Sequence, residues 1–224
     1  MKKLLCFLPL IPAGFGVAAL IYRSSFNAEN LLLVEGVAFS CGIICVLAYL
    51  ISPENNQALW FLTAAFIFSI MGDLFLKKRT TNFVFIMGIF FFLLAHIGYS
   101  IFCLTKIKFS WLFFAVVVTP YLILYFTMFL PSDRARNNGI LAFIVFLYIV
   151  MSCLTFSASI DSKSCSISSW VFTVGIASLL VSDTLIAARD FMQYRKFAFL
   201  IMPLYYLCHI LLALSVTLKQ INQE

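Results

Sequence analysis

The chain has 224 residues, of which 63% are hydrophobic and only 11% are charged. Soluble domains carry roughly 25% charged and 45–50% apolar residues, so this composition excludes a soluble protein and indicates an integral membrane protein. The net charge of +6 is spread over short loops, which favours contact with lipid headgroups over a nucleic-acid surface. We therefore expect the protein to contact the lipid bilayer and not to bind nucleic acid. No protein partner is indicated.

Apolar segments of about 20 residues, the length that crosses a bilayer, follow one another along the chain. Stretches rich in turn formers and charges separate them, such as Ser52–Asn56 and Lys77–Asn82. Since backbone groups have to be hydrogen-bonded inside lipid, each segment is predicted to form a helix. The prediction is an all-α, multi-pass transmembrane bundle of about eight helices in a single domain over residues 1–224. The approximate helix limits are 4–22, 30–51, 57–76, 83–104, 109–130, 139–159, 167–188 and 197–218.

The first of these segments, MKKLLCFLPLIPAGFGVAAL, has the basic start, apolar run and small residues of a signal peptide. We favour a first transmembrane helix that stays, because the many spans that follow leave no soluble domain to export. Lys and Arg number six on the side of the termini and nine on the opposite side. The positive-inside rule then predicts that the loops with the nine Lys and Arg residues are cytoplasmic and that both termini lie outside. We expect the membrane to be the bacterial inner (plasma) membrane.

Two aspartates lie inside predicted spans, Asp73 in the third helix and Asp183 in the seventh. An ionisable group within the membrane costs roughly 2.5–3.5 kcal/mol on insertion scales and by default indicates a functional site. Both helices are odd-numbered and cross in the same direction. The distances to Lys77 and Arg189 along the helices place both carboxylates about 6–9 Å from the same interface, so a shared site is predicted.

The only histidines, His96 and His209, lie in the fourth and eighth predicted helices, each one turn from a tyrosine. Counted from the aspartate-bearing interface, both histidines lie about 18–20 Å deep, which predicts that they line the floor of a pocket whose mouth holds the aspartates. A neutral histidine that only bonds a neighbouring helix is the alternative. The candidate substrate or pocket residues are Ser69, His96, Tyr99, Ser182, Tyr205, Tyr206 and His209.

The third and fourth helices also resemble the seventh and eighth, since an aspartate on the first of each pair precedes a histidine on the second. A parallel internal repeat, related by an axis along the membrane normal, is one interpretation, and chance similarity among apolar helices is the other. The seven cysteines form no CxxC pair, and the chain has no metal-ligand cluster, so we expect no metal site.

Two carboxyl groups in an apolar pocket tend to share a proton, which supplies an acid and a base from one residue type. Intramembrane aspartyl proteolysis of the presenilin type is disfavoured, because Ile70 stands where that motif requires glycine and only Met202-Pro203-Leu204 approximates its PAL sequence. Proton-coupled transport, or lipid binding, by the same buried aspartates is the alternative to an enzyme.

An ordered set of residues resembles the YhhN family of eight-helix membrane proteins. The set comprises Gly72-Asp73, Ala95-His96 with Tyr99, Ser182-Asp183, and Tyr205-Tyr206, each on the matching helix. Characterised animal members are lysoplasmalogenases, which cleave the vinyl ether of lysoplasmalogens to a fatty aldehyde and glycerophospho-ethanolamine or -choline. The resemblance implies the same hydrolase activity on a lysophospholipid substrate here, with Asp73 and Asp183 as the catalytic acids and no cofactor.

The chain departs from the family pattern after the tyrosine pair, where Leu207-Cys208-His209 replaces the frequent Ala-Gln. In the implied chemistry one aspartic acid protonates the vinyl ether, and the other, ionised, stabilises the cation and orients water. Asp183 has the more apolar helical face, so we expect it to be the acid.

Overall fold

The computed structural model describes residues 7–26, 31–52, 57–78, 81–104, 109–161 and 166–221. Each predicted apolar segment contains one α-helix, and the described residues contain no strand. The helices are α1 (Leu10–Phe26), α2 (Leu31–Ile51), α3 (Leu59–Lys78), α4 (Asn82–Leu104), α5 (Trp111–Leu124), α6 (Gly139–Asp161), α7 (Ile167–Phe191) and α8 (Ile201–Ile221). The all-α prediction is confirmed.

Seven of the helices, α2 to α8, are long and apolar enough to cross a membrane, so the protein is an integral, multi-pass membrane protein. The first helix is shorter than predicted, with 17 residues, and it begins at Leu10 rather than near residue 4. Pro9 and Pro12 explain this start, because a residue without a backbone N–H is tolerated only around the first turn of a helix. The part of the prediction that falls on residues 1–6 lies outside the described residues.

The fifth helix changes character near its end, since Tyr125–Phe129 forms a π-helical turn closed by the Leu130 amide on the Tyr125 carbonyl at 2.8 Å. A one-turn helix, Asp133–Arg136, then leads into α6. At the other connection on this side, a 3₁₀ turn at Ala198–Leu200 precedes α8. These two irregular connections lie at the end of the bundle that carries the aspartates.

Six helices form a closed ring in the order α2, α3, α4, α6, α7, α8, with α8 packing back on α2. The remaining two lie outside this ring, α1 against α2 and α8, and α5 against α6. Because the bundle closes on itself, side chains from all six ring helices converge on a common interior.

One of the two interpretations of the similarity, an internal repeat, can be compared with this packing. Advancing every helix by four converts the contacts α1–α2, α2–α3, α3–α4 and α4–α6 into α5–α6, α6–α7, α7–α8 and α8–α2, all of which occur. One constant shift in residue number carries Asp73 onto Asp183 and Tyr99 onto His209. The ring thus follows the repeat, whereas α1 also packs on α8 and α5 makes no contact of that extent with α4.

Two close helix contacts obey the same relation. A Cβ atom placed on Gly98 of α4 would lie 2.8 Å from the Phe61 carbonyl oxygen and 3.0 Å from Ala65 Cβ on α3. The shift that relates the aspartates carries Gly98 onto Cys208 and Ala65 onto Gly175, and a Cβ on Gly175 would lie 3.3 Å from the Cys208 carbonyl oxygen. Small residues thus bring the two helix pairs together at equivalent points, as is usual in membranes.

The half of the bundle remote from the aspartates is filled by side chains. Its fully or almost fully buried members come from α2, α3, α4 and α8 and include Cys41, Ile44, Leu62, Phe66, Cys103 and Leu212. The interior is therefore solid at one end and hollow at the other.

Candidate active site

A cavity of about 550 Å³ occupies the hollow end of the bundle. It falls within the range of roughly 300–1,000 Å³ that is usual for small-molecule sites. Every helix except α1 contributes to its wall, which is mostly apolar. Asp73 of α3 and Asp183 of α7 both line it, so the two aspartates face one space.

Asp183 is held by the fourth and sixth helices. Its Oδ2 lies 3.2 Å from Nε2 of His96 on α4, and the same nitrogen lies 3.1 Å from the hydroxyl of Tyr148 on α6. The Tyr148 hydroxyl is also hydrogen-bonded to Asp183. The imidazole side chain is only 2% exposed and the carboxylate 12%, so the aspartate reaches the cavity while the histidine lies behind it.

The contacts of His96 Nδ1, on the side of the ring away from Asp183, indicate which ring nitrogen of the neutral imidazole carries the hydrogen. Thr155 Oγ1 lies 2.8 Å from the Met151 carbonyl, 2.8 Å from Ser100 Oγ and 3.4 Å from His96 Nδ1. A hydroxyl has one hydrogen, and the carbonyl can only accept it, so Thr155 is left as an acceptor toward its other neighbours. His96 Nδ1 then donates to Thr155, and Nε2 is the nitrogen that faces Asp183.

Asp73 has a different environment. The Tyr205 hydroxyl of α8 donates to Asp73 Oδ2 at 2.8 Å, and the Tyr205 ring packs edge-on against Phe92 of α4 with centroids 6.1 Å apart. A phenol that donates to a carboxylate favours the ionised acid. The two aspartates therefore differ. Asp183 lies beside an imidazole, whereas Asp73 lies beside a hydroxyl that donates a hydrogen bond to it.

The two supporting contacts cross between the halves of the repeat. Asp73 on α3 is bonded from α8, and Asp183 on α7 is bonded from α4. Tyr205 corresponds in the repeat to Ala95, one residue before His96. Each half thus supplies the carboxylate of one pair and the supporting side chain of the other.

The YhhN family profile matches residues 35–216, which is most of the chain. The chain belongs to the YhhN family. No curated protein and no solved structure matches it. The matched region begins at α2 and ends within α8, and it contains every residue of the YhhN cavity wall except Val34.

Within this YhhN protein, five of the predicted pocket residues lie behind the cavity. Tyr99 donates to or accepts from Ser69 at 3.3 Å in the buried layer beneath Asp73, and Ser182 donates to the Ile201 carbonyl at 3.0 Å. Tyr206 lies on the side of α8 that faces Gly16 of α1. These residues and His96, which lies behind Asp183, form a layer that supports the cavity wall. Of the predicted pocket residues, Tyr205 lines the cavity directly.

His209 departs furthest from the expected position. Its Nδ1 bonds the Tyr205 carbonyl at 2.9 Å, and its Nε2 has no hydrogen-bond partner in the described part of the chain. The ring is fully buried against Phe66 and Tyr205 rather than in the cavity wall. It stands where the repeat places Tyr99. Because it bonds its own helix, it fits neither the predicted pocket position nor the alternative of a histidine that bonds a neighbouring helix.

Sequence reasoning missed the contribution of α6. Tyr148, Ser152 and Thr155 are spaced four and three residues apart, so they form one polar face on an otherwise apolar helix. That spacing was a usable signal. In the structure Tyr148 and Ser152 line the YhhN cavity, and the buried Ser152 hydroxyl has no partner among the described residues.

Cationic side chains complete the wall. Lys77, one turn after Asp73, and Arg189, six residues after Asp183, both line the cavity. Arg195 does not line it. Lys78 and Arg79 have no described side chains. Over the described residues, no group of three or more His, Cys, Asp or Glu side chains could hold a metal ion.

Proposed function

We propose that this YhhN protein hydrolyses the vinyl ether bond of a lysoplasmalogen, with Asp73 and Asp183 as the catalytic acids. The observation that carries the proposal is the pairing of two differently supported carboxylates in one apolar cavity. The family to which the chain belongs includes lysoplasmalogenases. A single-chain lipid is a substrate that a cavity within a membrane protein can receive directly from the bilayer. We place the protein in the bacterial inner (plasma) membrane.

In the proposed reaction Asp183 begins as the protonated acid beside His96 and protonates the β-carbon of the vinyl ether. The resulting oxocarbenium ion is stabilised by the ionised Asp73, which lies in the same low-dielectric space. Water adds to the cation and gives its proton to Asp73, forming a hemiacetal. Asp73 then returns that proton to the departing glycerol oxygen while Asp183 takes the hemiacetal hydroxyl proton, so aldehyde and glycerophospho-ester form and both acids are restored.

The assignment of roles follows from the two supporting contacts. Asp183 lies 3.2 Å from Nε2 of His96, so the proposed proton donor has a basic nitrogen beside it. Asp73 accepts a hydrogen bond from Tyr205, which favours its ionised form. The unpartnered Ser152 hydroxyl, one turn from Tyr148, provides a further bond for the attacking water.

Transport by the same aspartates is the competing function. A transporter opens to each side of the membrane in alternation, whereas a hydrolase requires one opening. The core that includes Phe66, Leu62 and Leu212 closes the remote side of the cavity, so transport would require this core to open.

The test is the release of fatty aldehyde from lysoplasmenyl-ethanolamine by purified protein, followed by mass spectrometry. Asp73→Asn and Asp183→Asn should each lower the rate at least 100-fold, because general acid–base catalysis contributes about 10²–10⁴-fold. Asp133→Asn, at an exposed residue outside the cavity, is the matched control and should retain full activity.

Folding of each variant is checked by its thermal melting and gel-filtration profile in detergent. Folded wild-type protein that releases no aldehyde would contradict the proposal. A proton-coupled flux in liposomes that Asp183→Asn abolishes, without product, would favour transport instead.

A further inference from the structure

We infer that Lys77 and Arg189 form a subsite for the phosphodiester of a single-chain, zwitterionic lipid, and that this subsite sets which bond of the lipid meets the aspartates. The inference rests on the proposed function and adds to it the group that positions the substrate. Both side chains line the cavity that holds Asp73 and Asp183.

The spacing along α3 is close to the spacing within the lipid, and the spacing along α7 is longer. Lys77 follows Asp73 by about 6 Å of helix rise, and Arg189 follows Asp183 by about 9 Å. In a glycerophospholipid the ether oxygen on the first glycerol carbon is separated from phosphorus by five bonds, an extended distance of roughly 6 Å. A phosphate held by the two cations therefore places the vinyl ether, and not the middle of the hydrocarbon chain, beside the carboxylates.

Arg189 is oriented for such a ligand. Its Nε and Nη2 donate to the two carboxylate oxygens of Asp190 at 2.7 and 3.1 Å. A guanidinium group has five N–H donors in a rigid plane, so this bidentate pair fixes the side chain and leaves three donors for another acceptor. The arginine is 26% exposed and its aspartate partner only 8%, so the free donors are on the accessible side.

The charges around the subsite favour a headgroup with no net charge. Asp190 is paired with Arg189, and Glu35 of α2 interacts electrostatically with Lys77. With Asp73 and Asp183 in the same cavity, four acids accompany the two cations among the described residues. A phosphodiester with an attached ammonium group suits these surroundings better than a phosphomonoester, whose second negative charge would meet an excess of acids.

The experiment compares two substrates that differ only in the headgroup: lysoplasmenyl-ethanolamine and 1-alkenylglycerol, which lacks the phosphate. Both are presented in the same mixed micelles to wild type, Lys77→Gln, Arg189→Gln and the control Arg195→Gln. For the phospholipid we expect KM to rise about tenfold in the first two variants with kcat nearly unchanged, since a charge-assisted bond is lost. For 1-alkenylglycerol, and for Arg195→Gln on either substrate, both constants should match the wild type.

A binding measurement separates this inference from the proposed reaction. A 1-alkyl lysophospho-ethanolamine, whose saturated ether cannot be protonated and cleaved in this way, is titrated against each protein by calorimetry. Weaker binding to Lys77→Gln and Arg189→Gln would support the subsite even if no vinyl ether were hydrolysed. Equal losses on both substrates, or unchanged KM and unchanged binding in both variants, would overturn it.

Discussion

At the scale of single residues, the site depends on one imidazole that has two different hydrogen-bonded sides. Thr155, fixed by the Met151 carbonyl, orients Nδ1, while Nε2 faces Asp183 and Tyr148. We propose that His96, buried behind the carboxylate, is a positioning residue that holds Asp183 toward the cavity.

Replacement of His96 by glutamine tests this role. Glutamine retains hydrogen bonding but cannot carry a proton as an imidazole does, so we expect kcat to fall about 10–100-fold while KM stays near the wild-type value. The measurement is kcat and KM on lysoplasmenyl-ethanolamine.

The other buried histidine offers the control. His209→Gln changes a residue that bonds only a backbone carbonyl and does not line the cavity, so its kcat and KM should match those of the wild type. A wild-type kcat in folded His96→Gln protein would contradict the positioning role.

At the scale of helices, close approach through small residues fixes where the catalytic side chains lie. Gly98 allows α4 to touch the α3 backbone at the Phe61 carbonyl, and Gly175 allows the equivalent approach of α7 to α8. Within lipid, such packing replaces the hydrophobic driving force that holds helices together in water. The depth of His96, two residues before Gly98, is set by this contact.

Gly98→Ala should consequently damage both stability and activity. The new Cβ would lie 2.8 Å from a backbone oxygen, and overpacking of this kind costs about 1–3 kcal/mol. We expect a lower melting temperature in detergent and a reduced rate, because α4 has to move and carries His96 with it. Gly14→Ala on α1, where a Cβ meets nothing within 4 Å, should leave both unchanged. A full wild-type melting temperature for Gly98→Ala would contradict this account.

At the scale of the whole molecule, the closed ring of six helices has its cavity at one end. Lys77, Arg189 and both aspartates line this cavity, and the main apolar core fills the opposite half of the described bundle. Under the proposed function we expect the substrate to be received from the side of the cavity, so that the reaction has a sidedness set by the orientation of the protein.

Sealed proteoliposomes test that sidedness. A cysteine introduced by Arg195→Cys, with Cys6 and Cys165 replaced by serine, marks the hollow end for a membrane-impermeant maleimide. Lysoplasmalogen is added outside the vesicles, and the activity is divided by the total activity measured after detergent has opened them. This ratio should equal the fraction of protein that the maleimide labels. Equal rates regardless of the labelled fraction would show that the cavity is reached from both sides.

Much of this architecture could be predicted from the sequence, because the constraints of a bilayer act locally. A segment has to be about 20 apolar residues long and helical, so the chain itself determined the all-α bundle and most helix limits, such as 30–51 against the observed Leu31–Ile51. Depth follows from residue count along a helix, which placed Asp73 and Asp183 at one end. The assignment failed mainly at the first helix, where prolines delay the start.

Only the tertiary structure decided which side chains meet. In lipid both the outward and the inward faces of a helix are apolar, so the sequence of α4, α6 or α8 does not reveal its rotation about its own axis. That rotation, set by ring closure and by contacts such as Gly98 against Phe61, turned His96 toward Asp183 and brought Tyr148 to both. The same packing turned His209 away from the cavity, although its depth along the helix is similar.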